Sequence, residues 1–248
     1  MVAARTSPTR SALTSNSEPA GDGAAYEWHE SDFVRLEPEV LVAGVIRTPF
    51  LSREGCARLL EEIDLRARQE AGRAAANSMH DHGVELGAIG LDSVVTDWME
   101  ERLRDLLVEH FEPFEAATLD HHHSYLVQYG RELDEDLGFH VDDSEVTLNL
   151  CLGEDFSGAE LVMLGARCDR HRQTPIEPAE ALEIHHEPGS LVIHSGCHRH
   201  RVDPIRRGVR RNVIGWLRSS KSRERASLEP GQLPGASACA PWCGAYPG

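Results

Sequence analysis

The sequence predicts a mainly β protein with supporting α-helices, and two patterns carry that prediction. From Thr118 onward, hydrophobic residues recur with a period of two, which is typical of strands with one buried face. Two amphipathic helices precede this region. The predicted strands are His121–Tyr129, Glu145–Leu152, Glu160–Leu164, Ser190–His194 and Arg210–Leu217. Short strands that follow two helices favour a β-sandwich or barrel with helical support.

Length and composition indicate one soluble domain. The chain has 248 residues, of which 40% are hydrophobic and 27% are charged, and this length is enough to bury a core. No apolar run approaches the ~18 to 20 residues of a membrane-spanning helix, so no membrane partner is expected. The six cysteines are scattered without a C-x-x-C pair, which favours a reducing compartment. We therefore predict a cytoplasmic protein.

The chain divides into three parts by composition. Residues 1–26 are rich in small polar residues and are predicted to be disordered, and residues 226–248 are predicted to form a flexible tail. The domain is predicted over residues 27–225. The N-terminal segment contains Arg5 and Arg10 before its first acidic residue, so import into an organelle is the alternative to a plain disordered tail.

Within this domain, helical support is predicted over residues 50–112 and the strand-rich core over residues 118–220. Ser52 is the expected N-cap of a helix from Arg53 to Gln69. A second helix is predicted from Asp92 to His110.

Three further segments complete the predicted layout. Val40–Ile46 is predicted to be a strand, and the acidic segment Gln173–Glu187, with two prolines, is predicted to be a loop. Ala71–Gly90 is polar and rich in glycine, so we expect a loop there that either covers a pocket or merely connects two elements.

Charge is unevenly distributed along the chain. The net charge is −16, yet the segment Cys197–Arg225 holds ten Arg or Lys residues against two acids. Overall acidity disfavours nucleic acid as a partner. The basic segment is either a solvated strand and tail, or it holds an anionic cosubstrate in part.

One motif suggests a metal site. His140 and Asp142 stand one residue apart in an extended segment, so their side chains point to the same side. A second histidine from a distant strand would complete a three-ligand set with open positions, which is typical of non-haem Fe(II) oxygenases. The candidates for that histidine are His194, His198 and His200. Without it, a hydrogen-bonded surface pair is the better explanation of His140 and Asp142.

The order H-x-D, a strand pair, H-x-x-x-P and G-x-R resembles the 2-oxoglutarate- and Fe(II)-dependent dioxygenases, in the branch of the prolyl and lysyl hydroxylases. The similarity extends from about Asn77 to Ser220 and is most evident with little-characterised plant and protist members. It implies a double-stranded β-helix, which is a jelly-roll barrel of two facing sheets. The matching residues are His140, Asp142, His200, Pro204, Gly208 and Arg210.

The resemblance also implies a role for each matching side chain. His140, Asp142 and His200 would hold Fe(II), and Arg210 would bind the distal carboxylate of 2-oxoglutarate. Physical reasoning agrees, because a buried dicarboxylate requires a fixed counter-charge and a guanidinium offers two parallel hydrogen bonds.

Neighbouring strand positions extend this candidate site. Tyr129 resembles the family tyrosine whose hydroxyl helps to hold 2-oxoglutarate, although a core aromatic would also explain it. Asn212 shares a strand face with Arg210 and is expected near the cosubstrate. Thr147, Asn149 and Cys151 alternate with leucines, so they are candidate pocket residues while the leucines pack against the helices.

The implied activity is oxidative decarboxylation of 2-oxoglutarate to succinate and CO2, coupled to hydroxylation of a C–H bond. The expected substrate is a prolyl or lysyl residue of a protein or peptide, with O2 as oxidant and ascorbate as reductant. One alternative is a 2-oxoglutarate oxygenase that acts on small molecules. Another is a cupin-like metal-binding protein without oxygenase activity, which would not need Arg210. The sequence gives no indication of oligomeric state.

Acidic residues surround the motif in the sequence: Glu132, Asp134, Glu135, Asp136, Asp143 and Glu145. At the mouth of a barrel they would attract basic substrates and repel anions. The alternative is that they keep a surface loop soluble.

Other histidines and cysteines give weaker signals. Cys168 and His171 have half the spacing of a zinc site, and the sequence shows no clear second half. Similar sequences end in W-C-G-x-C, whereas here Trp242-Cys243-Gly244 lacks the second cysteine, which leaves a role for a cysteine pair unsupported. The run His121–His123 is explained by a strand that enters the barrel mouth.

Overall fold

The computed structural model describes residues 25–70, 82–153, 155–226 and 242–244. Most of the predicted N-terminal segment 1–26 and of the predicted tail 226–248 lies outside these residues. The strands are β1 Glu39–Val42, β2 Val45–Pro49, β3 Gly83–Glu85, β4 His121–Tyr129, β5 Leu137–His140, β6 Val146–Gly153, β7 Ser157–Gly158, β8 Leu161–Ala166, β9 Ala181–Ile184, β10 Ser190–Ser195, β11 His198–Val202, β12 Ile205–Arg207 and β13 Arg210–Arg218.

Two antiparallel sheets form the barrel. Within the described residues, the major sheet has seven strands in the order β1-β2-β10-β6-β13-β4-β3, and the minor sheet has four in the order β5-β11-β8-β9. Side chains from both sheets share one buried cluster, in which Tyr129 and Val192 of the major sheet meet Met163 and Val202 of the minor sheet. A short pair, β7 with β12, lies beside them.

The outer face of the major sheet is covered by helices. Leu148, Leu150 and Leu152 of β6 belong to a second buried cluster together with Leu59 and Ile63 of helix α1. The leucines therefore face the helices, as the alternation along β6 predicts.

Helix α1, Arg53–Gln69, forms with the predicted bounds. The Ser52 hydroxyl accepts a hydrogen bond from the Gly55 backbone N–H at 3.0 Å, which caps an otherwise unpaired donor. The last turn of helix α1 carries Arg66 and Arg68, whose positive charges interact favourably with the negative end of the helix dipole. No helix in the described ranges is both long and apolar enough to cross a membrane.

The prediction of one continuous second helix was wrong. Helix α2, Ser93–Asp97, and helix α3, Arg104–His110, are separated by a π-helical turn over Trp98–Arg102. There the Leu103 N–H donates to the Trp98 carbonyl at 2.8 Å. Trp98 and Leu103 are both fully buried although five residues separate them, and the wider turn brings both to the core side.

Two strand predictions also need correction. Val40–Ile46 was predicted as one strand, but β1 and β2 form a hairpin whose turn contains Gly44 with φ at +75°, a conformation that glycine adopts without strain. The predicted loop Gln173–Glu187 contains β9, which pairs with β8. A short helix α4, Ser220–Ala226, follows β13.

Candidate metal and cosubstrate site

Adjacent strands of the minor sheet carry the two histidines of the predicted ligand set. His140 of β5 pairs directly with His200 of β11, and the centroids of their rings are 4.1 Å apart. Asp142 follows β5, with its backbone N–H bonded to the Gly196 carbonyl at 3.0 Å. The Asp142 carboxylate lies 3.6 Å from His140 Nε2 and 3.7 Å from His200 Nε2. The structure thus brings the three side chains together around one point.

Hydrogen bonds fix which ring nitrogen faces that point. His140 Nδ1 lies 2.8 Å from the Gly138 carbonyl, and His200 Nδ1 lies 2.9 Å from the His198 carbonyl. A carbonyl can only accept, so each Nδ1 carries the proton and each Nε2 lone pair is available to a metal ion. Burial lowers the pKa of His140 to about 4 and also lowers the pKa of His200. Both imidazoles are therefore neutral at pH 7, which metal binding requires.

Asp142 supplies the negative charge. Burial alone would raise the pKa of Asp142, but the nearby His200, His194 and His140 and a hydrogen bond from Thr147 hold it below the usual range. The Thr147 hydroxyl donates to the Asp142 carboxylate at 2.7 Å. One carboxylate and two neutral imidazoles form a donor set that fits Fe(II).

Arg210 is a fully buried cation at the start of β13. Its Nε donates to the Asn212 side-chain oxygen at 3.0 Å, and its Nη1 donates to the Ala159 carbonyl. Its Nη2 is buried without a hydrogen-bond partner, and no carboxylate of the described residues forms a salt bridge with it. A buried guanidinium in this state fits an anionic ligand such as the distal carboxylate of 2-oxoglutarate.

The other predicted cosubstrate residues connect Arg210 to the metal-binding side chains. The Tyr129 ring lies 5.0 Å from the Arg210 guanidinium carbon. The Asn212 amide, besides accepting from Arg210, donates to the Asn149 side-chain oxygen at 2.6 Å. Asn149 in turn lines the same pocket as His140 and Asp142.

One narrow pocket contains most of these groups, whereas Arg210 and Asn212 lie behind its lining. Its lining residues are Tyr125, Tyr129, Leu137, His140, Asp142, Thr147, Asn149, Leu161, His194, His200, Val202 and Ile214. Cys151 is buried and pairs with Asn212 inside the sheet, and it is not among these lining residues.

Comparison with known proteins identifies the family of this chain. No family model matches the chain. The chain is 40% identical to the 2-oxoglutarate and iron-dependent oxygenase domain-containing protein CP2 of Arabidopsis thaliana, over 73% of this chain and 47% of the relative. It is 35% identical to the mouse 2-oxoglutarate and iron-dependent oxygenase domain-containing protein 2, over 77% of this chain and 54% of the relative. The chain belongs to the 2-oxoglutarate- and iron-dependent oxygenase family.

The predicted family is thereby confirmed, and iron and 2-oxoglutarate are the cofactors of that family. The chain spans about half the length of these curated relatives. A shorter match, 30% identical over 38% of each chain, is to a PKHD-type hydroxylase of Gloeothece citriformis.

A solved structure confirms the predicted jelly-roll fold. The carbocyclase SnoK from nogalamycin biosynthesis superposes with a TM-score of 0.52, over 78% of this chain and 90% of SnoK, at 12% sequence identity.

His194, one of the candidate ligands in the sequence, lies beside the cluster of His140, Asp142 and His200. Its Nε2 is buried without a partner, 3.8 Å from the Asp142 carboxylate, and its ring centroid is 4.7 Å from that of His200. His194 opposes Thr147 of β6 in the major sheet, so the two side chains lie on the same face of that sheet. His198 is buried but does not line the pocket.

The run His121–His123 alternates across β4 as expected. His122 Nε2 lies 2.9 Å from the Thr96 hydroxyl on the helix side, and the ring of His123 contacts Trp216 on the other side. Among the described residues, no metal-binding group of side chains includes any of the three.

Two glycines allow the backbone to pass close to other backbone segments beside the candidate site. A side chain at Gly196 would collide with the Ser144 carbonyl, and Gly196 accepts the hydrogen bond that holds Asp142. Gly208 has φ at +77°, and a side chain there would collide with the Asp155 carbonyl. Gly208 therefore shapes the turn that leads into Arg210.

Proposed function

We propose that the protein couples oxidative decarboxylation of 2-oxoglutarate to hydroxylation of a C–H bond in a prolyl or lysyl residue of a protein or peptide. The observation that carries the proposal is that a His–Asp–His donor set lines one pocket, and a buried, partly unpartnered guanidinium is connected to that pocket through Asn212 and Asn149. The reaction converts the substrate, 2-oxoglutarate and O2 into hydroxylated substrate, succinate and CO2.

His140, Asp142 and His200 would hold Fe(II) through two Nε2 atoms and a carboxylate oxygen. When bound, Fe(II) supplies the O2-dependent oxidation chemistry. The protein positions these donors with the two Nδ1–carbonyl hydrogen bonds and the Thr147 hydroxyl. Three donors leave positions open for the cosubstrate and O2.

Arg210 would bind the distal carboxylate of 2-oxoglutarate through Nη2. Asn212 keeps the guanidinium in place, because it is bonded to both Arg210 and Asn149. Burial raises the pKa of the Tyr129 phenol, so this hydroxyl stays protonated and can donate a hydrogen bond to the same carboxylate.

The electrostatics of the entrance support a neutral or basic peptide. Glu132, Glu135 and Asp136 are exposed in the loop before Leu137, which lines the pocket. Their field would attract cations.

Two of the acids that the sequence placed at this entrance are neutralised. Asp143 forms ion pairs with Arg218 and Arg223, both at 2.9 Å, and Glu145 forms an ion pair with Arg223 at 3.5 Å. The acidic entrance is therefore confined to the loop before β5. Residues 71–81 of the predicted loop Ala71–Gly90 lie outside the described residues, and the prediction was wrong for Gly83–Glu85, which forms strand β3.

A similarity in sequence favours the same substrate class, because a PKHD-type hydroxylase is among the relatives. A small-molecule substrate is the second candidate, since the pocket is narrow and enclosed. A cupin-like role without oxygenase chemistry is disfavoured, because it gives no reason to bury the Arg210 charge.

The test is succinate release with Fe(II), 2-oxoglutarate and ascorbate across matched peptides. Peptides that contain one proline or lysine should be offered with basic, neutral or acidic flanks, at low and high salt. We expect turnover to be greatest with basic flanks and this preference to weaken with salt, because salt screens the acidic loop. Preference for acidic flanks, or turnover only of small anionic metabolites, would refute the peptidyl assignment.

A further inference from the structure

A second group of metal-binding side chains lies outside the pocket of the proposed iron site. It consists of Cys168 and His171, in the loop after β8, and Cys243, near the C-terminus. One ligand atom from each lies within 4.8 Å of the others. Cys243 supplies the second half that the Cys168–His171 spacing lacked in the sequence.

The separations suit tetrahedral coordination. The His171 Nδ1 atom is 3.2 Å from the Cys168 sulfur and 3.6 Å from the Cys243 sulfur. Zinc bonds of ~2.3 Å to sulfur and ~2.0 Å to nitrogen, at tetrahedral angles, place sulfur and nitrogen ligands roughly 3.5 Å apart. The two sulfur atoms and the imidazole nitrogen are therefore close enough together to bind one metal ion.

The loop that carries the first two ligands is held in shape by its own hydrogen bonds. The His171 N–H donates to the Cys168 carbonyl at 2.9 Å, which closes the turn between them. The Thr174 hydroxyl donates to the His171 carbonyl at 2.8 Å, and Arg167 Nε donates to that hydroxyl at 3.0 Å. The two donor side chains therefore lie on one fixed turn.

Cys243, the third proposed ligand, is held in place by contacts of its two neighbours in the sequence. The Trp242 ring packs 5.3 Å from that of Phe114, and the Gly244 N–H donates to the Ala166 carbonyl at 3.2 Å. The Cys168 N–H also donates to the Cys243 sulfur at 3.4 Å. An amide N–H to a sulfur is an outer-shell contact that stabilises a thiolate ligand.

We propose that Cys168, His171 and Cys243 bind a zinc ion that joins the C-terminal segment to the loop after β8. Two thiolates and one imidazole favour zinc, whereas the nitrogen and oxygen donors of the other site favour Fe(II). The proposed role is structural, because none of the three side chains lines the pocket.

This zinc site would also support the iron-binding strand. The same loop ends at Thr174, whose carbonyl accepts from Arg199 Nη1 at 2.6 Å. Arg199 is fully buried and immediately precedes His200 in β11. Zinc would therefore act on the oxygenase site only indirectly, by fixing the loop against which Arg199 is anchored.

The experiment uses the full chain with the iron site removed by His140→Ala, Asp142→Ala and His200→Ala together. Metal content is measured after dialysis against zinc and then buffer. We expect about one zinc ion per chain in this background. Cys168→Ser, His171→Ala and Cys243→Ser should each lower zinc content about tenfold or more. Cys56→Ala, which removes a buried thiol from helix α1, should leave it unchanged.

Cobalt substitution keeps the test independent of folding. Co(II) in the same background should give a thiolate charge-transfer absorption, which Cys243→Ser weakens and Cys243→His retains in shifted form. The absence of bound zinc in the parent protein would overturn the proposal. So would a zinc content in Cys168→Ser, His171→Ala and Cys243→Ser that equals the content of the parent protein. So would a disulfide between Cys168 and Cys243, detected by mass spectrometry of the purified protein.

Discussion

At the scale of single residues, the hydrogen-bonding partner of each imidazole determines which ring nitrogen faces Asp142. His140 and His200 both direct Nδ1 at a backbone carbonyl of their own strand, which leaves Nε2 toward the shared point beside Asp142. The Nδ1 of His194 has the same kind of partner, the Ser195 carbonyl at 3.1 Å, and its Nε2 also faces Asp142. Chemistry alone therefore does not separate the three histidines, whereas position does: only His140 and His200 share a pair of neighbouring strands.

The first prediction follows for His200. His200→Ala should abolish Fe(II) binding and succinate release, because it removes one of three protein donors. His198→Ala should retain both, since only its backbone carbonyl supports His200 and that carbonyl is unchanged. Iron content by metal analysis and turnover by succinate assay check the pair, and the reverse pattern would contradict the assignment.

The second prediction concerns Arg210. Truncating one partner of a buried charge pair costs ~2 to 5 kcal/mol, or roughly thirtyfold to several thousandfold in affinity. Arg210→Ala should raise the 2-oxoglutarate concentration needed for turnover by that factor and leave Fe(II) binding nearly intact. A titration of succinate release against 2-oxoglutarate measures it, and an unchanged dependence would rule out the proposed contact.

At the scale of the elements, sequence periodicity predicted the strands with a clear apolar alternation and missed β11, which has none. Strands β4, β6 and β13 alternate clearly and were predicted to within a residue or two. The sequence of β11, His-Arg-His-Arg-Val, shows no apolar alternation, because its inward side chain His200 lines a polar pocket. The strand that carries a proposed ligand was thus the hardest to predict.

Long-range contacts were also beyond sequence reasoning. The convergence of Cys243 on Cys168 and His171 joins residues far apart in the chain, and no local spacing encodes it. The π-helical turn at Trp98 likewise follows from tertiary packing, since both Trp98 and Leu103 are buried.

The third prediction concerns the turn before β13. Gly208→Ala should destabilise the fold by about 1 to 3 kcal/mol, because alanine is strained at positive φ and would collide with the Asp155 carbonyl. Gly138→Ala is the matched control, since nothing lies within 4 Å of an added side chain there. It should change stability by less than about 0.5 kcal/mol in denaturant unfolding. Equal effects of the two substitutions would argue against a special turn at Gly208.

At the scale of the whole molecule, buried histidines make the metal-free protein sensitive to acid. Burial lowers the pKa of His140 to about 4 and of His198 to about 3, whereas an unfolded histidine titrates near ~6.5. Between these values the unfolded chain binds more protons than the folded chain, so stability falls as the pH falls.

The fourth prediction follows from this difference. Metal-free protein should lose about 3 kcal/mol through His140 alone between pH ~6.5 and ~4. His198→Gln should reduce the slope in that window by up to about 1.4 kcal/mol per pH unit, because it removes one titrating group. Denaturant unfolding at several pH values, with a chelator present, measures both slopes. A stability that stays constant from pH 7 to pH 5 would contradict the buried, neutral state of these side chains.

The two sheets divide the proposed cofactor contacts between them. The two histidines proposed to bind iron belong to the minor sheet, and Arg210 and Tyr129 belong to the major sheet. A 2-oxoglutarate molecule bound at both ends would therefore act as a strut between opposite walls of the barrel. Succinate keeps the distal carboxylate but has lost the 2-oxo acid group, so it would hold the wall that carries the histidines less firmly. Each turnover would thus weaken this connection, so that the two walls are tied together more tightly before the reaction than after it.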